Sequence, residues 1–300
     1  MARAENASRK DMTQTPHLFC FGLGYTALAL ARALVEQGWR VTGTCRAGSN
    51  ADAARSMGLE IVIFDREHPI ADLEQRLTTV THLLSSVPPG ESGDPVLQAH
   101  GAAIAKAAPH LQWIGYLSTT GVYGDRQGGW VDESSALTPS GERGQRRLDA
   151  ETAWLALPQP AHLFRLAGIY GPGRSVLDTV RAGKARRVLK PGQVFSRIHR
   201  DDIVQILLAS FARPNPGAAY NVCDDDAADP AEVTTYACEL LNVAPPPEVP
   251  FAEAQLSPMA RSFYDDNKRV RNDRIKQELG VTLIYPDYRV GLAALLAAES

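Results

Sequence analysis

Apolar residues come in short blocks, and their spacing alternates between two periods. Residues 18–22 (LFCFG) form a continuous apolar run closed by glycine. From 27 to 35 the apolar positions fall at Ala27, Leu28, Ala31, Leu34 and Val35, the spacing of one helix face, and Gly38 ends that helix. Residues 40–45 (RVTGTC), 60–64 (EIVIF) and 82–87 (HLLSSV) read as further strands. A helical stretch over 96–108 leads to a fifth strand at 113–118. A helix over 145–155 then precedes a sixth strand at 162–166. This rhythm of strand, helix, strand predicts right-handed crossovers. The expected fold is α/β: a doubly wound parallel sheet with helices on both faces.

The second half is punctuated differently. Proline and glycine cluster at 171–173, 191–192, 214–217 and 245–247, which predicts loops and a smaller, irregular lobe. We expect residues 16–168, with 198–222 returning to them, to form the sheet domain. Residues 169–197 and 223–300 would form the lobe, and the polar residues 1–15 a tail.

Composition narrows the function. Of 300 residues, 44% are apolar, enough for a full core. Thirty-one basic against thirty-four acidic residues give a net charge of −3, which speaks against coating nucleic acid. No run of eighteen apolar residues occurs, so no membrane span is expected. The first fifteen residues lack the apolar core of a secretory signal. Cys20, Cys45, Cys223 and Cys238 show neither C-x-x-C nor zinc spacing. Buried single thiols and a cytoplasmic protein without a metal site are expected.

Between the first strand and first helix lies Phe21-Gly22-Leu23-Gly24-Tyr25-Thr26-Ala27, a G-x-G-x-x-A sequence. Gly22 permits the tight turn, Gly24 lets a pyrophosphate approach the backbone, and Ala27 keeps helix and sheet close. Tyr25 and Thr26 open the helix whose N-terminus would face the phosphates. This context points to dinucleotide binding. Where NAD sites carry a carboxylate, the second strand ends Thr44-Cys45-Arg46. Arg46 can pair with a 2′-phosphate, so NADP is favoured and NAD is possible. Asp65 could accept a hydrogen bond from the adenine amino group or cap the following turn. Val87, opening the Val-Pro-Pro-Gly stretch, is expected beside the nicotinamide.

Several segments together are similar to one family. They are GLGYTA from Gly22, LSTTGVYGD from Leu117, LTPSGERGQRRLDAE from Leu137, FRLAGIYGPGR from Phe164, RIHRDDI from Arg197 and AYNVCDDD from Ala219. The chain resembles the extended and atypical short-chain dehydrogenase/reductases, the NAD-dependent epimerase/dehydratase group. The resemblance implies a Rossmann domain that binds the nucleotide and a lobe that closes over a small-molecule substrate, often a nucleotide sugar. It implies that Thr119 bonds the substrate oxygen. Counting back from Ala150-Glu151, the family's Tyr and Lys fall on Arg143 and Arg147. Arg147 could hold the nicotinamide ribose and supply positive charge. Arg143 cannot exchange a proton near neutral pH.

Candidate replacements for the tyrosine are Tyr123 and His199, with Tyr264 entering only if the lobe folds back. Tyr123 could instead pack under its loop, and His199 could cap a helix. Arg143, Arg174, Arg197 and His199, with the basic stretch 181–190, are candidate contacts to an anionic substrate. That stretch could equally be a solvated helix face. The expected activity is oxidoreduction of an epimerase/dehydratase type. The alternative is a non-catalytic NADP-binding sensor. A homodimer through the helices near 96–108 and 145–155 is expected from the resemblance.

Overall fold

The computed structural model describes residues 15–49 and 51–299. The expected tail lies, but for Thr15, outside the described residues. The first half runs β1 (His17–Phe21), α1 (Tyr25–Glu36), β2 (Arg40–Cys45), α2 (Asp52–Ser56), β3 (Glu60–Ile63), α3 (Leu73–Leu77), β4 (His82–Ser85), α4 (Pro95–Ala107) and β5 (Trp113–Thr119). It continues through β6 (Trp130–Val131), α5 (Glu142–Leu155), β7 (His162–Leu166) and β8 (Gly168–Tyr170). The remainder holds α6 (Val176–Arg181), β9 (Arg187–Leu189), β10 (Arg197–His199), α7 (Arg200–Ala212), β11 (Ala219–Val222) and α8 (Pro230–Leu240). Last come β12 (Glu248–Pro250), α9 (Pro258–Ser262), β13 (Arg269–Val270), α10 (Asp273–Leu279) and α11 (Tyr288–Ala297).

Seven strands form one parallel sheet in the order β11-β7-β5-β4-β1-β2-β3. The doubly wound parallel sheet expected from the sequence is borne out. Strands buried on both faces need apolar residues at every position, and β1 shows how they divide. Leu18 and Cys20 pack with α1, α7 and α10 on one face. Phe19 and Phe21 pack with α3, α4 and α5 on the other. Three strands begin with a buried histidine, each held by hydrogen bonds: His17 to Thr42, His82 to Thr81 and His162 to Ile114 and Asn215.

Outside the sheet stand three separate two-stranded parallel pairs, β8 with β10, β9 with β12, and β6 with β13. Tyr170, Leu177, Val233, Ala237 and Tyr288 make a second core between α6, α8 and α11. Val188, Ala254 and Tyr264 make a third. No helix among the described residues is long and apolar enough to cross a membrane.

Candidate active site

All seven strands point the same way, so their C-terminal ends share one edge, where ligands of such sheets bind. Phe21 of β1 lies level with Ser85 of β4, which lies level with Tyr116 of β5. The glycine turn after β1 and the Thr119 end of β5 are therefore about two strand spacings apart, roughly 10 Å.

The turn is built for glycine. Gly22 has φ +85°, and a Cβ there would meet Ser86 and Val87 at 3.0 Å. The turn's own amides are used internally: Gly22 donates to Thr44 Oγ1 (2.8 Å), Leu23 to Thr44 O (2.9 Å) and Gly24 to Gly22 O (2.9 Å). The amides left for a ligand are those of the first turn of α1, which has neither a side-chain cap nor an acidic residue. A Cβ on Gly24 would meet nothing within 4 Å, so that face is open. A dinucleotide pyrophosphate fits this arrangement of open glycine, helix N-terminus and absent acid. The loop after β2 is pinned from below. Asp65 accepts from the amides of Ala47, Glu67 and His68 and from the His68 ring. The Ala47 amide and the His68 ring together pull its carboxyl down to about 2. Arg46 next to this anchor is exposed.

Beyond Thr119 opens a cleft of about 970 Å³. One wall is the start of α5 with Ser140, Arg143 and Arg147. The floor is 166–170 and 194–197, and the far wall is 256–268. Thr119 Oγ1 accepts from the Gly121 amide (3.1 Å) and retains its hydroxyl proton for another partner. Arg147 donates to Leu117 O (2.7 Å) and the Tyr116 hydroxyl (3.2 Å). Arg143 makes no hydrogen bond to a described residue. Its guanidinium stands 5.8 Å from the ring centre of Phe263. Lys268 is tied to Asp266 and to Gly124 O, both at 2.9 Å.

No family model matches the chain. It is 30% identical over 279 residues to Protein YeeZ of Escherichia coli (strain K12), covering 89% of this chain and 95% of that protein. The chain belongs to the YeeZ family. Among solved structures, a functionally unknown conserved protein from Silicibacter pomeroyi DSS is 55% identical with a TM-score of 0.89, covering 95% of this chain and 99% of that one. A proposed NAD-dependent epimerase/dehydratase from Methylobacillus flagellatus is 28% identical with a TM-score of 0.73, over 96% and 99% of the two chains. The dTDP-glucose 4,6-dehydratase of Bacillus anthracis, solved with NAD, shares the fold at 16% identity with a TM-score of 0.74, over 94% and 96%. The structural neighbours of this YeeZ-family chain are thus Rossmann-fold proteins of the NAD-dependent epimerase/dehydratase kind.

The site residues expected from the sequence fall into three groups in this YeeZ-family structure. Thr119, Arg143, Arg147 and Arg197 meet in the cleft. Gly22, Gly24, Tyr25, Thr26, Ala27, Arg46, Asp65 and Val87 lie along the glycine-turn side and are not among the cleft's lining residues. Arg174 joins this second group. Its guanidinium lies 5.6 Å from the Tyr25 ring centre, with Arg200 at 5.1 Å from the same ring.

Two expectations are corrected. Tyr123 cannot serve as the missing acid: it is fully buried, donates to Asn221 Oδ1 (2.7 Å) and accepts from Arg165 (2.9 Å). Burial pushes its hydroxyl up to about 12. His199 does not line the cleft either. It is buried, accepts the Asp201 amide as the N-cap of α7, and is held down to about 4 by burial. Asp65 spends its carboxylate on the turn. Of the basic stretch, Arg181 pairs with Glu299 and Arg187 with Glu248, while Arg186 alone reaches the cleft. The far wall was the least visible part. The lobe does fold back, so Tyr264 lines the cleft, and Phe263, Met259 and Lys268 come with it. The only sequence signal for them was their mixture of large apolar and basic residues outside any periodic element.

Proposed function

We propose that this chain binds NADP in preference to NAD and acts as an epimerase/dehydratase-like oxidoreductase on a polar, anionic, nucleotide-sugar-like substrate. The observation that supports this reading most is the pairing of two features on one sheet edge. One is the open glycine turn with its uncapped helix. The other is the cleft that begins at Thr119. The preference for NADP is supported by Arg46, which is exposed at the end of β2 and has no carboxylate partner among the described residues. A bound nicotinamide would supply hydride chemistry. The protein's part is to bind and orient: Thr119 holds the substrate oxygen, and Arg147, clamped to Leu117 O, lends a fixed positive charge beside the ribose.

The rival reading, a sensor that binds NADP without turnover, draws on Arg143. It stands where the family's tyrosine belongs and has no proton to give. Titration calorimetry with NADP and NAD, followed by NADPH absorbance across aldehydes, ketones and sugar nucleotides, separates the readings. Binding of NADP with turnover of a member of the panel supports the enzyme. Binding without turnover moves the assignment to the sensor. Absence of binding by either cofactor overturns both.

A further inference from the structure

The cations lining the cleft are treated differently from those elsewhere on the same elements. Arg146 of α5 pairs with Glu142 (2.8 Å) and approaches Glu91 (4.0 Å). Its neighbours one position on and three positions back, Arg147 and Arg143, face the cleft and have no carboxylate within 4.0 Å among the described residues. The same is true of Arg186 and Arg197, which donate to carbonyl oxygens: Gln255 O for the first, Phe195 O (2.8 Å) and Ala228 O (3.1 Å) for the second. On the acidic side, Glu142 is committed to Arg146 and Asp266 to Lys268. At longer range Asp224 acts on Arg197 and Asp94 on Arg147. The four cleft arginines are thus compensated only at a distance or, as with Arg143 and Arg186, by the lining Asp265 alone, in a protein whose net charge is −3. A cluster of like charges around one cavity is unfavourable unless a counter-charge enters it.

Position adds a second argument. Arg143 and Arg147 are four residues apart and so share one face of α5. They flank the cleft at the end where Thr119 sits, and the helix start at Gly141 has no side-chain cap, with Glu142 of its first turn drawn off by Arg146. The place that would hold a proton donor holds instead a pair of fixed positive charges and amides. That set recognises an oxyanion.

We propose that the Arg143–Arg147 face of α5 is a receptor for an oxyanionic group of the substrate, a carboxylate or a phosphate, seated next to Thr119. The substrate's reacting end would then be acidic, with the anion adjoining the carbon whose oxygen Thr119 holds. This rests on the reading above for which end reacts, but the receptor itself is testable alone.

The experiment is calorimetric titration with inorganic phosphate and, separately, with glycolate. It is done with saturating NADP, so that phosphate cannot occupy the glycine turn, and again without cofactor. One saturable site is expected for at least one probe. Arg143→Gln removes a side chain without a hydrogen bond, so the fold should survive. Charge-assisted bonds of this kind predict a ten- to hundredfold weaker dissociation constant. Arg143→Lys should recover part of the loss, and Arg146→Gln should change nothing. Phosphate recognition would tighten between about pH 6 and 8, as inorganic phosphate loses its second proton near neutrality. Carboxylate recognition would stay flat over that range. Equal affinity in the parent and Arg143→Gln, or no saturable site for either probe, overturns the receptor. Anion binding in a protein that fails to bind NADP or NAD would uphold the receptor and sink the cofactor reading instead.

Discussion

The guanidinium of Arg165 and the carboxylate of Glu151 face each other at 2.9 Å inside the protein, both nearly sealed from water. Ser118 donates to the same carboxylate, and Arg165 reaches on to the Tyr123 hydroxyl at 2.9 Å. One polar chain therefore links β5, α5 and β7 directly behind the cleft. Glu151→Ala would leave a buried guanidinium without its counter-charge. The expected loss is about 3–5 kcal/mol, read as a lower urea midpoint with an unchanged slope.

Tyr123→Phe separates structure from chemistry at the same spot. The variant should lose roughly 1–3 kcal/mol, since the Asn221 and Arg165 groups lose a buried partner. Any turnover should keep its rate and its pH profile. A collapse of turnover in a well-folded Tyr123→Phe protein would restore the tyrosine to the reaction.

Arg46→Ala tests cofactor choice. The parent should bind NADP about ten- to a hundredfold tighter than NAD, from charge-assisted bonds to the 2′-phosphate. The variant should lose most of that difference and bind NAD as before. Because the loop is pinned by Asp65 and not by Arg46, its shape should not change. Equal affinities in the parent would remove Arg46 from the site.

Replacing both arginines by the family's pair asks whether the proton relay is all that is missing. In Arg143→Tyr with Arg147→Lys, hydride transfer between NADPH and simple carbonyl probes should rise, since general acid–base help is typically worth about 10²–10⁴-fold. Thr119→Val in that background should lower it again. Both are read as NADPH absorbance at saturating cofactor.

Acid should unfold the protein early. Burial lowers His17 and His162 and brings His82 and His199 down to about 4. Each is neutral in the fold and takes up a proton on unfolding near 6.5. Their contribution is complete above about pH 6.5 and is lost as the pH falls toward 4. At 1.36 kcal/mol per unit, His82 alone accounts for roughly 3 kcal/mol. His82→Phe should fit among the rings of Trp39, Trp113 and Phe211 and flatten the stability slope in that window, measured as urea midpoints from pH 7 to 4.

The sheet was legible in the sequence because its signals are local. Apolar runs, the helix face from Ala27 to Val35 and the Gly22–Ala27 turn each declare themselves within a dozen residues. The lobe was legible only as an irregular region; its pairings were not, because its strands are two or three residues long and pair across the chain. Trp130–Val131 finds Arg269–Val270, and no periodicity can announce that. Arg143 and Arg147 were readable as residues, but their lack of acidic partners needs the third dimension. Tyr123 stayed between two readings because a motif gives a side chain's neighbourhood along the chain and not the direction in which its hydroxyl points.

Those late pairings also set an order of manufacture. Chains emerge from the N-terminus at roughly 5–20 residues per second, and domains begin folding as they appear. The glycine turn and the strands up to β5 are available after little more than a third of synthesis. The wall carrying Phe263 and Lys268 arrives only near the end, when Arg269 and Val270 meet Trp130 and Val131. A nascent chain has its nucleotide turn long before it has a substrate cleft, and a product truncated before residue 256 would never have the cleft's far wall.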